Sequence, residues 1–281
     1  MLTAIASHCL RSYVLFGIAL FGGAASAQEP ATASGRTIAV PGARLYFEEH
    51  GSGAPLFLLH NFFSTGTSWR AYVPVLALHF RVIVVDMRGH GRSSNADTSI
   101  VFRLAQPARD LLALMDSLHI PRASAMGGSS GAITLLYAAS MEPQRFDAIT
   151  VIGAQLYTST QVRDWIRAGF CPPDSAFVAS LLQRHGPQRG TQLVRQFCHF
   201  KDLYGDLALT PDVLARITAR TLVVHGDNDF VPVSQAWELF RAVPKSRLWI
   251  VPNGGHLPYT DSSNVADFTR RTLDFLQGKW K

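Results

Sequence analysis

Two short runs, residues 55–60 (PLFLLH) and 81–86 (RVIVVD), are apolar at nearly every position rather than at alternate ones. A strand with one wet face alternates, whereas a strand covered on both faces of a parallel sheet reads as a continuous apolar run. The pattern repeats along the chain. Trp69, Tyr72, Val73 and Leu76 fall at helical spacing between the two runs. A helix is expected over 108–118, with Leu111, Leu112, Met115 and Leu118 on one face, then a strand at 123–126, a helix at 130–141 and a strand at 148–152. Later come a strand at 221–225, a helix at 234–243, a strand at 248–251 and a last helix near 264–276. Two short strands, 37–40 and 44–48, joined by the Pro41-Gly42 turn, precede all of these. This order specifies an α/β fold: a mainly parallel sheet flanked by helices on both faces. With 281 residues, 47% of them hydrophobic and 16% charged, the chain can bury a sizeable core, and disorder is excluded.

The alternation breaks at 156–212, which contains no convincing strand. Leu193, Phe197, Phe200 and Tyr204 form one helical stripe, Phe177 with Leu181 and Trp165 with Ile166 belong to shorter helices, and Cys171-Pro172-Pro173 and Gly186-Pro187 separate them. A helical cap inserted between late strands is expected there, with the core formed by 28–155 and 213–281.

Near the N-terminus, Arg11 precedes an apolar stretch from Tyr13 to Ala25, and Ala25-Ser26-Ala27 is a small-x-small cleavage site. That is the layout of a signal peptide over 1–27, and it implies export to a periplasm or the exterior. The stretch is short against the roughly 20 residues of a membrane span, so no stable membrane insertion is expected after cleavage. In an oxidising compartment Cys171 and Cys198 could pair, or could remain two buried thiols. The formal charge of +6 comes from scattered residues, with no basic run, aromatic-basic strip or zinc spacing, which argues against nucleic acid as a partner.

The sharpest chemical signal is Gly127-Gly128-Ser129-Ser130-Gly131, between an apolar strand and an amphipathic helix. Glycines flanking a serine at this spacing permit a tight strand-to-helix turn that projects the hydroxyl at a helix N-terminus. Ser130 competes with Ser129, but centring the pattern on it would place Ala132 where the second glycine belongs. A serine needs a general base. His256 lies in a loop directly after the last apolar strand, which opens at the same end of a parallel sheet as the Ser129 turn; His60 and His225 close strands and suit structural roles. The loop after 221–225 offers Asp227 and Asp229 as the carboxylate, and Ser, acid, His is the chain order expected on such a sheet.

From about Gly35 onward the chain resembles the α/β-hydrolase superfamily. The matching pieces are Leu58-Leu59-His60, the segment 86–93 (DMRGHGRS), the Ser129 elbow, His225-Gly226-Asp227-Asn228-Asp229 with Pro232, and Gly255-His256. The resemblance implies that Asp229 is the triad acid, that a helical cap occupies the insert, and that the backbone N–H groups of Phe62 and Ser130 form an oxyanion hole. One departure is Asn61, where relatives carry Gly after the histidine; Asn tolerates a left-handed backbone, so it is expected to keep the loop's shape there. Segment 86–93 lacks the ending of a P-loop and the spacing of a dinucleotide fingerprint, and reads as a structural turn pinned by Asp86 and Arg88.

The expected chemistry is acyl transfer by Ser129, His256 and Asp229, needing no metal or cofactor. A serine at the elbow argues against the dehalogenase and epoxide-hydrolase branches, which resemble this fold but use Asp there. The expected substrate is a small apolar or aryl carboxylic ester, with lactones next, because Trp165, Phe170, Phe177, Phe197, Phe200 and Tyr204 make the insert rich in aromatic rings. The alternatives are peptide cleavage or perhydrolysis on the same triad, or a ligand receptor with little turnover.

Overall fold

Strand β1 (Arg36–Val40) and β2 (Ala43–His50) pair antiparallel across the Pro41-Gly42 turn, and β3 (Pro55–Leu59) begins the parallel part of the sheet. The computed structural model describes residues 35–202 and 207–280, which belong to one compact unit. The expected signal peptide and Tyr204 lie outside the described residues.

After β3 come α1 (Val73–Leu76), β4 (Arg81–Asp86), α2 (Gln106–Ser117), β5 (Ala123–Gly128), α3 (Ser130–Met141) and β6 (Phe146–Ile152). An insert then supplies α4 (Thr160–Trp165), α5 (Ser175–His185) and α6 (Pro187–His199), and α7 (Pro211–Leu214) straddles the return to the core. The chain closes with β7 (Arg220–Gly226), α8 (Val233–Ala242), β8 (Ser246–Val251) and α9 (Val265–Leu276). The eight strands lie in the order β1-β2-β4-β3-β5-β6-β7-β8, antiparallel at β1–β2 and β2–β4 and parallel from β4 to β8.

The continuous apolar runs fill both faces, as their composition requires. Phe57, Leu59, Ile83 and Val85 enter the core on one side, and Leu56, Leu58, Val82 and Val84 enter the core on the other. Burying one such side chain contributes about 1.5–3 kcal/mol, so β3 and β4 anchor both layers at once. The second layer holds Trp69, Tyr72 and Leu76, all buried as their spacing predicts. They do not share one helix, however: a 3₁₀ turn over Gly66–Trp69 is followed by the single turn of α1. Pro74 is the reason, because its ring clashes with a preceding helical carbonyl and it tolerates only the first turn.

Among the described residues of the insert there is no strand, in line with the sequence. A π-helical turn over Ile166–Phe170 follows α4, and a disulfide joins Cys171 to Cys198 of α6 with Cα atoms 5.7 Å apart. That resolves the two readings of the cysteines in favour of a bridge. The insert is tied to the core by Gln192 and Gln196 of α6, which donate to the carbonyls of Asp97 and Ser99 at 2.8 and 2.9 Å.

Candidate active site

β5 runs without a linker into Ser129, which takes φ +51° and ψ −114° before α3 begins. The turn closes tightly because neither flanking glycine has room for a side chain. A Cβ on Gly127 would lie 2.5 Å from the Gly131 backbone, and one on Gly131 would lie 2.6 Å from the Leu59 carbonyl oxygen. Ser129 N–H is fixed on the Ile152 carbonyl at 2.8 Å, tying the turn to the end of β6. Positive φ at a serine costs free energy and persists only where the surroundings over-determine it.

Three loops at the carboxyl ends of β5, β7 and β8 meet at this turn. Ser129 Oγ lies 2.9 Å from His256 Nε2, and His256 Nδ1 lies 2.9 Å from both carboxylate oxygens of Asp229. A carboxylate only accepts, so Nδ1 carries the proton, Nε2 is the acceptor, and the Ser129 hydroxyl donates to it. The Asp229 side chain is fully buried and also accepts the Val231 N–H at 2.8 Å, with His225 Nε2 3.4 Å away. Asp227 is exposed and stands apart from the imidazole's partners. Ser130 Oγ is buried without a hydrogen-bond partner, and of the two serines it is Ser129 that meets the imidazole.

The oxyanion donors that the resemblance implies are the backbone N–H groups of Ser130 and Phe62. Ser130 is the first residue of α3, whose leading N–H groups have no acceptor within the helix. Phe62 lies in the loop after β3, its ring packed between His90, Phe102, Phe197 and Phe200. Asn61 does not take the left-handed conformation that it tolerates. Phe63 does, at φ +67°, in a turn closed by Ser64 N–H on the Asn61 carbonyl. The Asn61 side chain instead donates to the Phe62 carbonyl at 2.8 Å.

Segment 86–93 acts as the structural turn its residues suggest. Asp86 accepts the N–H groups of Gly66 and Arg92, at 2.8 and 3.0 Å. Arg88 forms a buried bidentate pair with Asp110, 2.7 Å on each arm, and donates to the Pro41 and Gly42 carbonyls. Together these hold the β1–β2 turn, α2 and the 3₁₀ turn around the loop after β4.

Sequence reasoning missed several neighbours. Phe230 covers the His256 ring at 4.4 Å between centroids, and Trp165 of α4 stacks on Phe230 at 4.1 Å. Phe230 follows Asp229 directly, and that adjacency was the only available signal. Behind the Phe62 loop lies a buried trio, with His60 5.1 Å and His185 5.6 Å from His90. Burial pushes His60 down to about 4, against the opposing pull of Asp86, and pushes His90 and His185 down as well. His185 comes from the insert, and nothing in an amphipathic helix marks which histidine turns inward. Among the described residues no group of three or more His, Cys, Asp or Glu side chains, this trio included, is arranged to hold a metal ion.

Comparison with known proteins agrees with this architecture. The family model for the α/β hydrolase fold matches residues 54–186. The chain is 31% identical to a dihydrolipoyllysine-residue acetyltransferase component of the acetoin cleaving system from Pseudomonas putida, over 91% of this chain and 72% of the relative. It is 24% identical to a 2-hydroxy-6-oxo-6-(2'-aminophenyl)hexa-2,4-dienoic acid hydrolase from Metapseudomonas resinovorans, over 86% of this chain and 90% of the other. The solved enol-lactonase from Burkholderia xenovorans LB400 superposes with a TM-score of 0.69 at 22% identity, over 86% of this chain and all of that one. On its sheet order, its serine turn and these matches, the chain belongs to the α/β-hydrolase superfamily and is a hydrolase of that fold.

Proposed function

We propose that this protein cleaves carboxylic esters or lactones through an acyl-enzyme, with Ser129 as nucleophile, His256 as general base and acid, and Asp229 as the group that orients the imidazole. The observation that carries this reading is the unbroken chain of contacts, Ser129 Oγ to His256 Nε2 and His256 Nδ1 to Asp229, each at 2.9 Å. His256 takes the hydroxyl proton as Oγ attacks the carbonyl carbon. The oxyanion is held by the Phe62 and Ser130 N–H groups. Collapse expels the alcohol, which receives the proton from His256, and a water activated by the same imidazole releases the acid and restores Ser129. No step needs a metal or an organic cofactor.

The insert 156–212 acts in this reading as a cap. Phe170, Phe177 and Phe197 pack on Phe63, and Trp165 on Phe230, which surrounds the reacting centre with rings. Each substrate methylene buried against such a wall is worth up to about 0.8 kcal/mol, which favours an aryl group or a short acyl chain over a sugar or a charged peptide. The names of two similar proteins, an aryl-substituted dienoic acid hydrolase and an enol-lactonase, point the same way. Nitrophenyl esters of rising chain length, aryl esters and lactones, assayed beside an olive-oil emulsion and a peptide set, test the proposal. Turnover should be highest on soluble short-to-medium-chain or aryl esters, or on lactones. Strong activation by emulsified long-chain triglyceride, peptide cleavage without ester turnover, or no turnover at all would contradict it.

A further inference from the structure

Phe63 is a bulky residue in a conformation that turns normally give to glycine or asparagine, one position after the proposed oxyanion donor Phe62. The turn closed by Ser64 N–H on the Asn61 carbonyl calls for positive φ here, but nothing in that turn explains a bulky side chain. The insert does, because it grips Phe63 at both ends. The ring is stacked on Phe170 at 5.5 Å and packed against Phe197 at 4.7 Å and the edge of Phe177 at 5.4 Å. The carbonyl oxygen accepts two hydrogen bonds, from Arg184 Nη1 and from His185 Nε2, both at 2.9 Å. The second has a defined direction. His185 Nδ1 accepts the Gly91 N–H at 2.9 Å, so in the neutral imidazole Nε2 carries the proton that reaches Phe63.

We propose that the insert is a clamp on the oxyanion turn, with Arg184 and His185 as positioning residues that hold Phe63 left-handed and thereby aim the Phe62 N–H at the reacting carbonyl oxygen. The disulfide belongs to the same device. Phe170 immediately precedes Cys171 and Phe197 immediately precedes Cys198, so the covalent bond fastens together two of the three rings that hold Phe63. His185 extends the grip to the loop after β4 through Gly91, whose neighbour Arg92 is fixed on Asp86. Docking of the insert and assembly of the oxyanion hole are therefore one event. This inference rests on the acyl-transfer reading above.

The test is steady-state kinetics on a soluble nitrophenyl ester, with folding checked by circular dichroism. Arg184→Ala with His185→Phe removes both donors to the Phe63 carbonyl. Loss of a whole oxyanion donor costs about 10²–10³ in kcat, so the double variant should lose about 10- to 100-fold in kcat, with KM near that of the parent. Arg184 is exposed, so Arg184→Ala alone should fold normally, and it should show a smaller loss of kcat in the same direction. His185→Gln, which keeps a donor and an acceptor, should recover part of the loss. Glycine takes positive φ without a clamp, so in a Phe63→Gly background the double substitution should cost clearly less than in the parent. Parent-like kcat in the folded single and double variants, or an equal cost in both backgrounds, would overturn the clamp. Ser129→Ala separates the two ideas. If that variant keeps parent activity, the acyl-transfer reading itself fails. If it is inactive while the clamp variants keep parent kcat, only the clamp fails.

Discussion

Replacing Ser129 by alanine is expected to lower ester turnover by about 10⁶-fold, and His256→Ala by a similar factor, with the protein still folded. The two act as one unit: without the acceptor 2.9 Å away the hydroxyl stays a weak nucleophile, and without the hydroxyl the imidazole has nothing to activate. Combining the substitutions should therefore add little to either alone. Asp229→Asn is expected to cost about 10⁴-fold, because an amide can donate to Nδ1 and so favours the wrong imidazole tautomer. Asp227→Asn should be nearly silent, since Asp227 is exposed and only Asp229 reaches the ring. Measured kcat/KM values for the four single variants check all of this. A silent Asp229→Asn beside a damaging Asp227→Asn would reverse the assignment of the acid.

Acidification is expected to destabilise the fold well before the carboxylates titrate. His60 is buried and neutral, its Nδ1–H donating to the Asn61 carbonyl at 2.8 Å while Nε2 accepts the Met87 N–H at 2.9 Å. Protonation would destroy that acceptor and bury a charge beside His90 and His185, with Asp86 the compensating carboxylate. The unfolded chain takes up the proton near pH 6.5, whereas the folded chain resists until about 4. A depressed folded value means that stability is fully present above about 6.5 and falls as the pH drops. At about 1.4 kcal/mol per pH unit, His60 alone removes about 3 kcal/mol by pH 4, and His90 and His185 act in the same direction. That is a large part of the 5–15 kcal/mol typical of a folded domain. Urea unfolding at pH 7.5 and pH 4.5 measures the effect. Equal midpoints at the two pH values would contradict it, and His60→Gln should flatten the profile.

The parallel core was legible because residues buried on both faces leave a continuous apolar signature, as 55–59 and 81–86 do. The Ser129 turn was legible because a close backbone approach leaves glycines at fixed offsets. His256 was singled out by its place after the last strand, whereas place left Asp227 and Asp229 both open and only the family resemblance pointed to Asp229. What stayed hidden depends on contacts made across long stretches of chain. Local propensity makes Asn61 the residue that best tolerates a left-handed backbone in the oxyanion turn, yet that conformation falls on Phe63, whose ring and carbonyl are held by residues more than 100 positions away. Local preference loses where tertiary contacts over-determine the backbone. The single helix expected over 69–76 failed for the opposite reason: Pro74 is a local rule that the apolar spacing concealed.

The most direct measurement is covalent labelling with a fluorophosphonate probe, followed by peptide mapping of the adduct. An activated serine beside an oxyanion hole should react rapidly to give a single adduct on Ser129. Labelling should vanish in Ser129→Ala and slow greatly in His256→Ala. An adduct on another residue, or a folded protein whose Ser129 remains unlabelled, would contradict the account.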